Sequence, residues 1–290
     1  MKKLFALSIF AAVAAMPLAA SAAEEPAKET SAATVDVYAD VLSAYVYRGQ
    51  VGNDEAVFQP GLDVAGPLGL GYSFWSSMNL TDNESAWYPD SAGEWGEVDL
   101  GLNWTCPAEG PGRLTVGATY FIYPQDSSEV LVDEESGEMV LGEDGLAQVS
   151  EAPADDGYEL YVELAADDVP LAPSVRACHD LANSDDWIFI FGIGHSLGLT
   201  DALALDLGAS LGYAGDYYVA SNYGSEAGSA LAYAQIDAAL NYAVSEAFSV
   251  GLKGAFSTLV DDDLRDDVDE GEYYPETDLF FGGVTASYSF

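Results

Sequence analysis

The feature that most limits what this chain can fold into is a rhythm of two. From Leu203 the odd positions Leu203, Leu205, Leu207, Ala209, Leu211 and Tyr213 are apolar, and Ala204, Asp206, Gly208, Ser210 and Gly212 lie between them. Further on, Ala232, Ala234, Ile236, Ala238, Leu240 and Tyr242 share one face against Gln235, Asp237 and Asn241. Phe248, Val250, Leu252 and Phe256 oppose Ser249, Gly251, Lys253 and Ser257, and Val98, Leu100, Leu102 and Trp104 oppose Glu97, Asp99, Gly101 and Asn103. Successive side chains of a strand point to opposite faces, so this period predicts strands. A helical period is absent after the N-terminal segment. The pattern gives twelve strands, over 34–48, 57–66, 70–81, 94–105, 113–123, 157–166, 172–180, 186–198, 202–214, 230–244, 247–259 and 278–290.

The connections narrow the architecture. Those after even-numbered strands are short: Gly66 to Gly69, Cys106 to Gly112, Asp167 to Leu171, Leu199 to Asp201, and Ser245-Glu246. Those after odd-numbered strands are mostly long: Asp82 to Gly93, Pro124 to Asp156, Gly215 to Ser229 and Val260 to Thr277. An up-and-down antiparallel transmembrane barrel has short periplasmic turns at one end and long extracellular loops at the other. A soluble sandwich or lipocalin-like barrel also alternates, with its apolar face inside. Aromatic residues near strand ends (Tyr45, Tyr47, Trp104, Trp187, Tyr213, Tyr242) fit an interfacial girdle and favour the membrane form. The chain ends Phe280, Gly282, Val284, Ala286, Tyr288 and Phe290 on alternate positions. Phe290 and Tyr288 fit an exposed last strand presented to the barrel-assembly machinery, which then closes against the first. The segment VLVDEESGEMVLG at 130–142 forms a hairpin about Ser136-Gly137 and raises fourteen strands as an alternative; its acidic residues disfavour spanning.

The start of the chain sets the compartment. Lys2 and Lys3 precede an apolar run from Leu4 to Leu18, and Ala20-Ser21-Ala22 fits signal-peptidase cleavage. Residues 1–22 are therefore expected to be a signal peptide, 23–33 a polar periplasmic lead, and 34–290 an outer-membrane barrel. Removing the signal leaves six basic residues against 49 acidic ones. Such a chain repels nucleic acid and anionic surfaces, which excludes nucleic acid as a partner and leaves outer-membrane lipid and small solutes. The acids are spread along the chain, which reads as a hydrated surface suited to salt more than as one cation motif.

Residues 45–50, YVYRGQ, followed by NDEAVFQPGLD at 53–63, resemble the opening of the TorF-like outer-membrane porin family. There a strand ending in an aromatic-Arg-Gly element precedes an acidic loop and a Gln-Pro strand start. The match covers the first two strands. It implies a small barrel with a pore and no catalytic residues. The acidity and the 124–156 loop depart from that pattern.

If the apolar stripe faces lipid, the other stripe lines the lumen. Its ionisable members are Asp36, Asp40, Arg48, Asp63, Glu97, Asp99, Glu159, Glu163, Arg176, Asp206, Asp237 and Lys253. Carboxylates facing a narrow wet lumen concentrate cations, so the leading expectation is a passive channel for small cationic or neutral solutes. The alternative is a plugged structural or surface-interaction barrel, with Arg48, Arg176 and Lys253 bridged by carboxylates and Tyr38, Trp75, Tyr161 and Phe121 filling the space. Twelve strands lie between filled eight-stranded barrels and open sixteen-stranded porins. An enzyme is not expected: His179 precedes Asp180 and His195 precedes Ser196, and strand neighbours face opposite ways. No cofactor is implied. The acidic 260–277 loop fails the calcium-loop pattern, which leaves loose Ca²⁺ or Mg²⁺ binding by Asp261, Asp263, Asp267 and Asp269 as the only metal option. Cys106 and Cys178 belong at opposite ends of their strands, too far apart to bridge.

Overall fold

The computed structural model describes residues 33–82, 91–108, 110, 112–124, 126–130, 149–153, 156–271 and 274–290. The expected signal peptide, nearly all of the lead, and the Ser136-Gly137 turn lie outside the described residues.

The strands in chain order are β1 (Thr34–Leu42), β2 (Tyr45–Tyr47), β3 (Gln50–Asn53), β4 (Val57–Ala65), β5 (Leu70–Asn79), β6 (Trp95–Thr105), β7 (Arg113–Ile122), β8 (Asp126–Val130), β9 (Val149–Pro153), β10 (Gly157–Ala165), β11 (Ser174–Asp180), β12 (Asp186–Gly198), β13 (Leu203–Ala214), β14 (Ala230–Ala243), β15 (Phe248–Leu259) and β16 (Asp278–Ser289). Twelve of them close into one antiparallel barrel in the order β1-β16-β15-β14-β13-β12-β11-β10-β7-β6-β5-β4. Each barrel strand pairs with its neighbours along the chain. Closure comes from β1 on β16, from Asp36 opposite Ser289 to Leu42 opposite Gly283. β8 and β9 pair with each other in a separate two-stranded sheet within the 124–156 connection.

The alternation decides which face is which. On β12, Trp187, Phe189, Phe191 and Ile193 point outward and are exposed, while Ile188 and Ile190 point inward and are buried. Across the wall Leu102, Leu252 and Phe280 leave 66%, 58% and 78% of their surface outside. Inside, rings lie flat against neighbouring strands where those strands offer glycine. A Cβ on Gly61, Gly117 or Gly212 would stand 2.0, 2.5 or 2.2 Å from the ring of Tyr38, Tyr161 or Tyr233.

Three expectations are corrected. The first strand does not run to residue 48: β1 stops at Leu42, and β2 and β3 form a two-stranded hairpin of their own. Its tip, Arg48-Gly49, has φ of 52° and 84°, the left-handed pair that a tight two-residue turn requires. Tyr45 and Tyr47 are therefore not girdle residues; both are buried. Second, helices do occur after the N-terminal segment, in two long connections at the same end of the barrel: α1 (Asp216–Tyr223) and α2 (Asp262–Gly271). α1 stops at Gly224 in the left-handed conformation, and at its start the Tyr217 and Tyr218 N–H groups donate to Asp186. α2 begins where Asp261 accepts from the N–H groups of Asp263 and Leu264, and it buries Leu264 and Val268, four residues apart. Third, a bulge at Gly212/Tyr213 turns Ala232 inward, off the lipid face of β14.

Candidate functional site: the lumen and the hairpin that enters it

The outer belt is apolar, with Trp104 and Tyr242 near its turn end and Trp187 and Tyr213 near its loop end, all exposed. A closed antiparallel barrel presenting such a belt matches a bilayer core between two interfaces. It is an outer-membrane β-barrel.

Of the twelve charged residues assigned to the lumen, Asp36, Asp40, Arg48, Glu97, Asp99, Glu159, Glu163 and Asp206 are buried, and Asp63, Arg176, Asp237 and Lys253 are half-buried. The bases are bridged. Arg176 donates through Nη2 to Glu163 at 2.6 Å, Lys253 pairs with Asp40 at 2.5 Å, and Arg48 holds Glu159. Arg113, which sequence reasoning missed, adds a second cation to Glu163 at 3.3 Å and pairs with Asp167 at 2.9 Å. Its position at the first residue of β7, beside a turn, hid its inward reach. Three further acids take neutral donors: Glu97 accepts from the Tyr45 hydroxyl, Asp206 from Asn241 Nδ2, and Asp36 from the Ser289 hydroxyl. Asp99 shares the inner face of β6 with Glu97, two residues before it, and the two carboxyls interact directly, while Asp63 Oδ2 and Asp40 Oδ1 meet no hydrogen-bond donor among the described residues. Asp99 sits at one level of the wall with Trp75 and Phe121, its partners in register on β5 and β7.

The β2–β3 hairpin enters this space from the loop end. Every residue from Ala44 to Asn53 that can be classed is buried. On one side Tyr45 meets Trp75 (ring centroids 5.5 Å) and Tyr47 meets Phe121 (6.2 Å). On another Val46 and Val51 pack with Leu279 and Phe281 of β16. Gly49 lies so close to Tyr233 and Leu259 that a Cβ there would stand 2.6 Å from Tyr233 Cβ. At the tip, Arg48 Nη1 donates to Glu159 Oε2 at 2.6 Å and Nη2 to Glu159 Oε1 at 2.9 Å, a bidentate fork. Nη1 also reaches the Tyr218 hydroxyl at 3.0 Å and Nη2 reaches Cys178 Sγ at 3.4 Å. Tyr223 donates to the Arg48 carbonyl at 2.7 Å. Burial opposes the charge of Arg48, but Glu159 and then Tyr218 outweigh it, and its pKa stands well above the ordinary value. Burial, less the pull of Arg48, pushes the Tyr218 hydroxyl up. Arg48 is thus not a wall residue on a strand, as its place in YVYRGQ suggested. It sits at the tip of the inserted β2–β3 hairpin.

Behind the tip, Ile188, Ile190, Tyr218, Val219, Tyr223, Leu259, Leu264 and Val268 form an apolar core that joins the wall to both helices. Ser225 and the Glu226 N–H donate to Asp267, tying α2 to the connection after α1. Of the four acids considered for a metal, Asp261 and Asp267 are thus engaged in capping and bridging. Among the described residues no group of three or more His, Cys, Asp or Glu is arranged to hold a metal ion. His195 is exposed on the lipid side between Ile193 and Leu197. His179 stands edge-on to Trp187 at 4.5 Å. Neither approaches a serine or cysteine in any hydrogen bond found among the described residues. Cys106 and Cys178 are both free.

No family model and no curated protein sequence matches this chain. Solved structures do resemble it. The KdgM porin in complex with disordered oligogalacturonate is 8% identical, with 89% of this chain and 99% of that one covered and a TM-score of 0.47. The NanC porin is 13% identical, with 88% and 98% covered and a TM-score of 0.46. The translocator domain of the autotransporter NalP from Neisseria meningitidis is 10% identical, with 91% and 90% covered and a TM-score of 0.44. Porins and a translocator thus stand side by side at similar scores, so the likeness assigns neither solute nor selectivity.

Proposed function

We propose that this protein is a porin-like channel for small cationic or neutral solutes, closed at its loop end in this conformation by the β2–β3 hairpin. The observation that carries the reading is the surplus of inward carboxyls. After Glu159, Glu163 and Asp40 are bridged by the lumen's bases, Asp36, Asp63, Glu97, Asp99 and Asp206 remain without a cation, with Asp36, Glu97 and Asp206 on neutral partners and Glu97 and Asp99 beside one another. A wall built only to hold a plug gains nothing from buried carboxylates without a cation, which cost stability unless water or a cation reaches them. A conducting lumen uses them to raise local cation concentration.

The second reading, a permanently plugged structural barrel, draws on the hairpin's contacts with β5, β7, β14, β15 and β16. One variant separates the two. Leu42 and Val57 face each other in the β1–β4 register, so a two-residue type I′ turn can replace residues 43–56. In planar bilayers the excised barrel is expected to conduct, with a reversal potential in a salt gradient that favours cations. A folded excised barrel without conductance above background would rule out the channel.

The TorF-like resemblance belongs to this proposal, because its aromatic-Arg-Gly element is the hairpin tip. So does delivery by the barrel-assembly machinery. Phe290 is 75% exposed, its ring lies 4.7 Å from that of Tyr288, and its N–H donates to Val35 across the closing seam.

A further inference from the structure

The Arg48 nook has the composition of a recognition site. All four of its side-chain hydrogen bonds are made by the terminal nitrogens Nη1 and Nη2, while its Cζ lies 4.6 Å from the centre of the Tyr47 ring on the hairpin itself. None of these hydrogen bonds needs the rest of the arginine. The acceptors come from the paired strands β10 and β11, which carry Glu159 and Cys178, and from α1, which carries Tyr218. They would present the same planar fork to any guanidinium placed there. An ammonium is a compact point charge and cannot make two parallel bonds to one carboxylate.

The tethered occupant is also held at a cost. With the hairpin inserted, the Tyr47 hydroxyl and Gln50 Nε2 are buried without hydrogen-bond partners among the described residues. Each regains water if the hairpin leaves. Closure therefore depends on the guanidinium–carboxylate fork more than on the hairpin's other polar groups.

We propose that the Glu159–Tyr218–Cys178 nook recognises soluble guanidinium compounds, which displace Arg48 from it and release the hairpin. The inference rests on the channel reading above and names the solute class that opens it. Arg48 acts as a tethered competitor. A short tether gives an effective concentration in the millimolar range, so displacement requires about millimolar free guanidinium ligand. A lysine-type cation loses one of two charge-assisted hydrogen bonds, which weakens it by about tenfold or more.

The test is the conductance of the full-length barrel in planar bilayers, titrated with arginine amide or lysine amide at matched ionic strength. Arginine amide should raise conductance at millimolar concentration, and lysine amide should need at least about tenfold more. Equal responses, or none, overturn the proposal. The hairpin-excised barrel distinguishes the two levels of failure. If it conducts while the intact barrel ignores arginine amide, only the guanidinium site falls. If it folds and does not conduct, the channel reading falls and takes this proposal with it. Arg48→Gln keeps the hairpin and removes the tethered cation, which covers the case in which excision prevents folding. Its basal conductance should be raised and no longer increased by arginine amide. A response like that of the native barrel overturns the competition.

Discussion

Replacing Glu159 by Gln should open the barrel without unfolding it. In the closed state the Arg48 guanidinium would stay buried with one amide oxygen, the Tyr218 hydroxyl and Cys178 Sγ, all uncharged in place of a carboxylate. Removing one member of a buried ion pair costs roughly 3–5 kcal/mol, because the remaining charge is left uncompensated. A global unfolding would spread that cost over the whole molecule. Here a cheaper escape exists: the hairpin is paired only with itself and joins the wall at Leu42 and Val57. Withdrawing it rehydrates Arg48. The cost thus shifts the closed/open ratio by about two to three and a half orders of magnitude, at 1.4 kcal/mol per decade. The readouts are macroscopic bilayer conductance, rising toward that of the excised barrel, and thiol labelling. Cys178 is fully buried beneath Arg48 and should react with a maleimide only when the hairpin is out. Folding is checked by the β-type circular dichroism of the detergent-solubilised protein. The reasoning fails if E159Q stays folded, conducts no more than the native barrel and keeps Cys178 unreactive. The double variant R48Q/E159Q, with no buried charge left at the tip, should fall between the native barrel and either single variant. The resulting cycle measures the coupling of the pair.

Other outcomes follow from the same wall. Asp99→Asn in the excised barrel should move the reversal potential in a salt gradient toward zero, since it removes a luminal carboxyl that the absent hairpin leaves open to water; an unchanged potential would place the selectivity elsewhere. Gly61→Val and Gly117→Val should each lower stability by about 1–3 kcal/mol, because the new side chain meets the Tyr38 or Tyr161 ring. The check is the urea midpoint in micelles. Raising the pH from neutral into the range where lysine titrates should not unlatch the hairpin through Arg48. Its folded pKa is raised, so the stability it contributes is present below the unfolded value and is lost only above that range. Conductance of the native barrel measured across that interval is the check.

The wall was legible because lipid and water impose opposite demands on alternate residues. Leu203 to Tyr213 could not be anything but a strand with one oily side, and β13 runs from Leu203 to Ala214. The contents of the lumen obey no such rule. Tyr45-Val46-Tyr47 continues the strand pattern of β1 without a break, yet the chain leaves the wall at Ser43. The local signal for a turn was Arg48-Gly49, a bulky residue followed by glycine, and it is weak because most Arg-Gly pairs are not turns. Two other signals were stronger. Trp187-Ile188-Phe189-Ile190-Phe191 is apolar on both faces, which a strand between lipid and a wet lumen does not need; Ile188 and Ile190 face α1, not water. Leu264 and Val268, four apart in an acidic run, mark the buried stripe of α2. What no local pattern could supply is pairing. Arg48 and Glu159 are 111 positions apart, and they meet only because closure of twelve strands and the hairpin's reach bring β10 under the tip. That contact makes a chain that reads as an open acidic tube into one with a bolt across it.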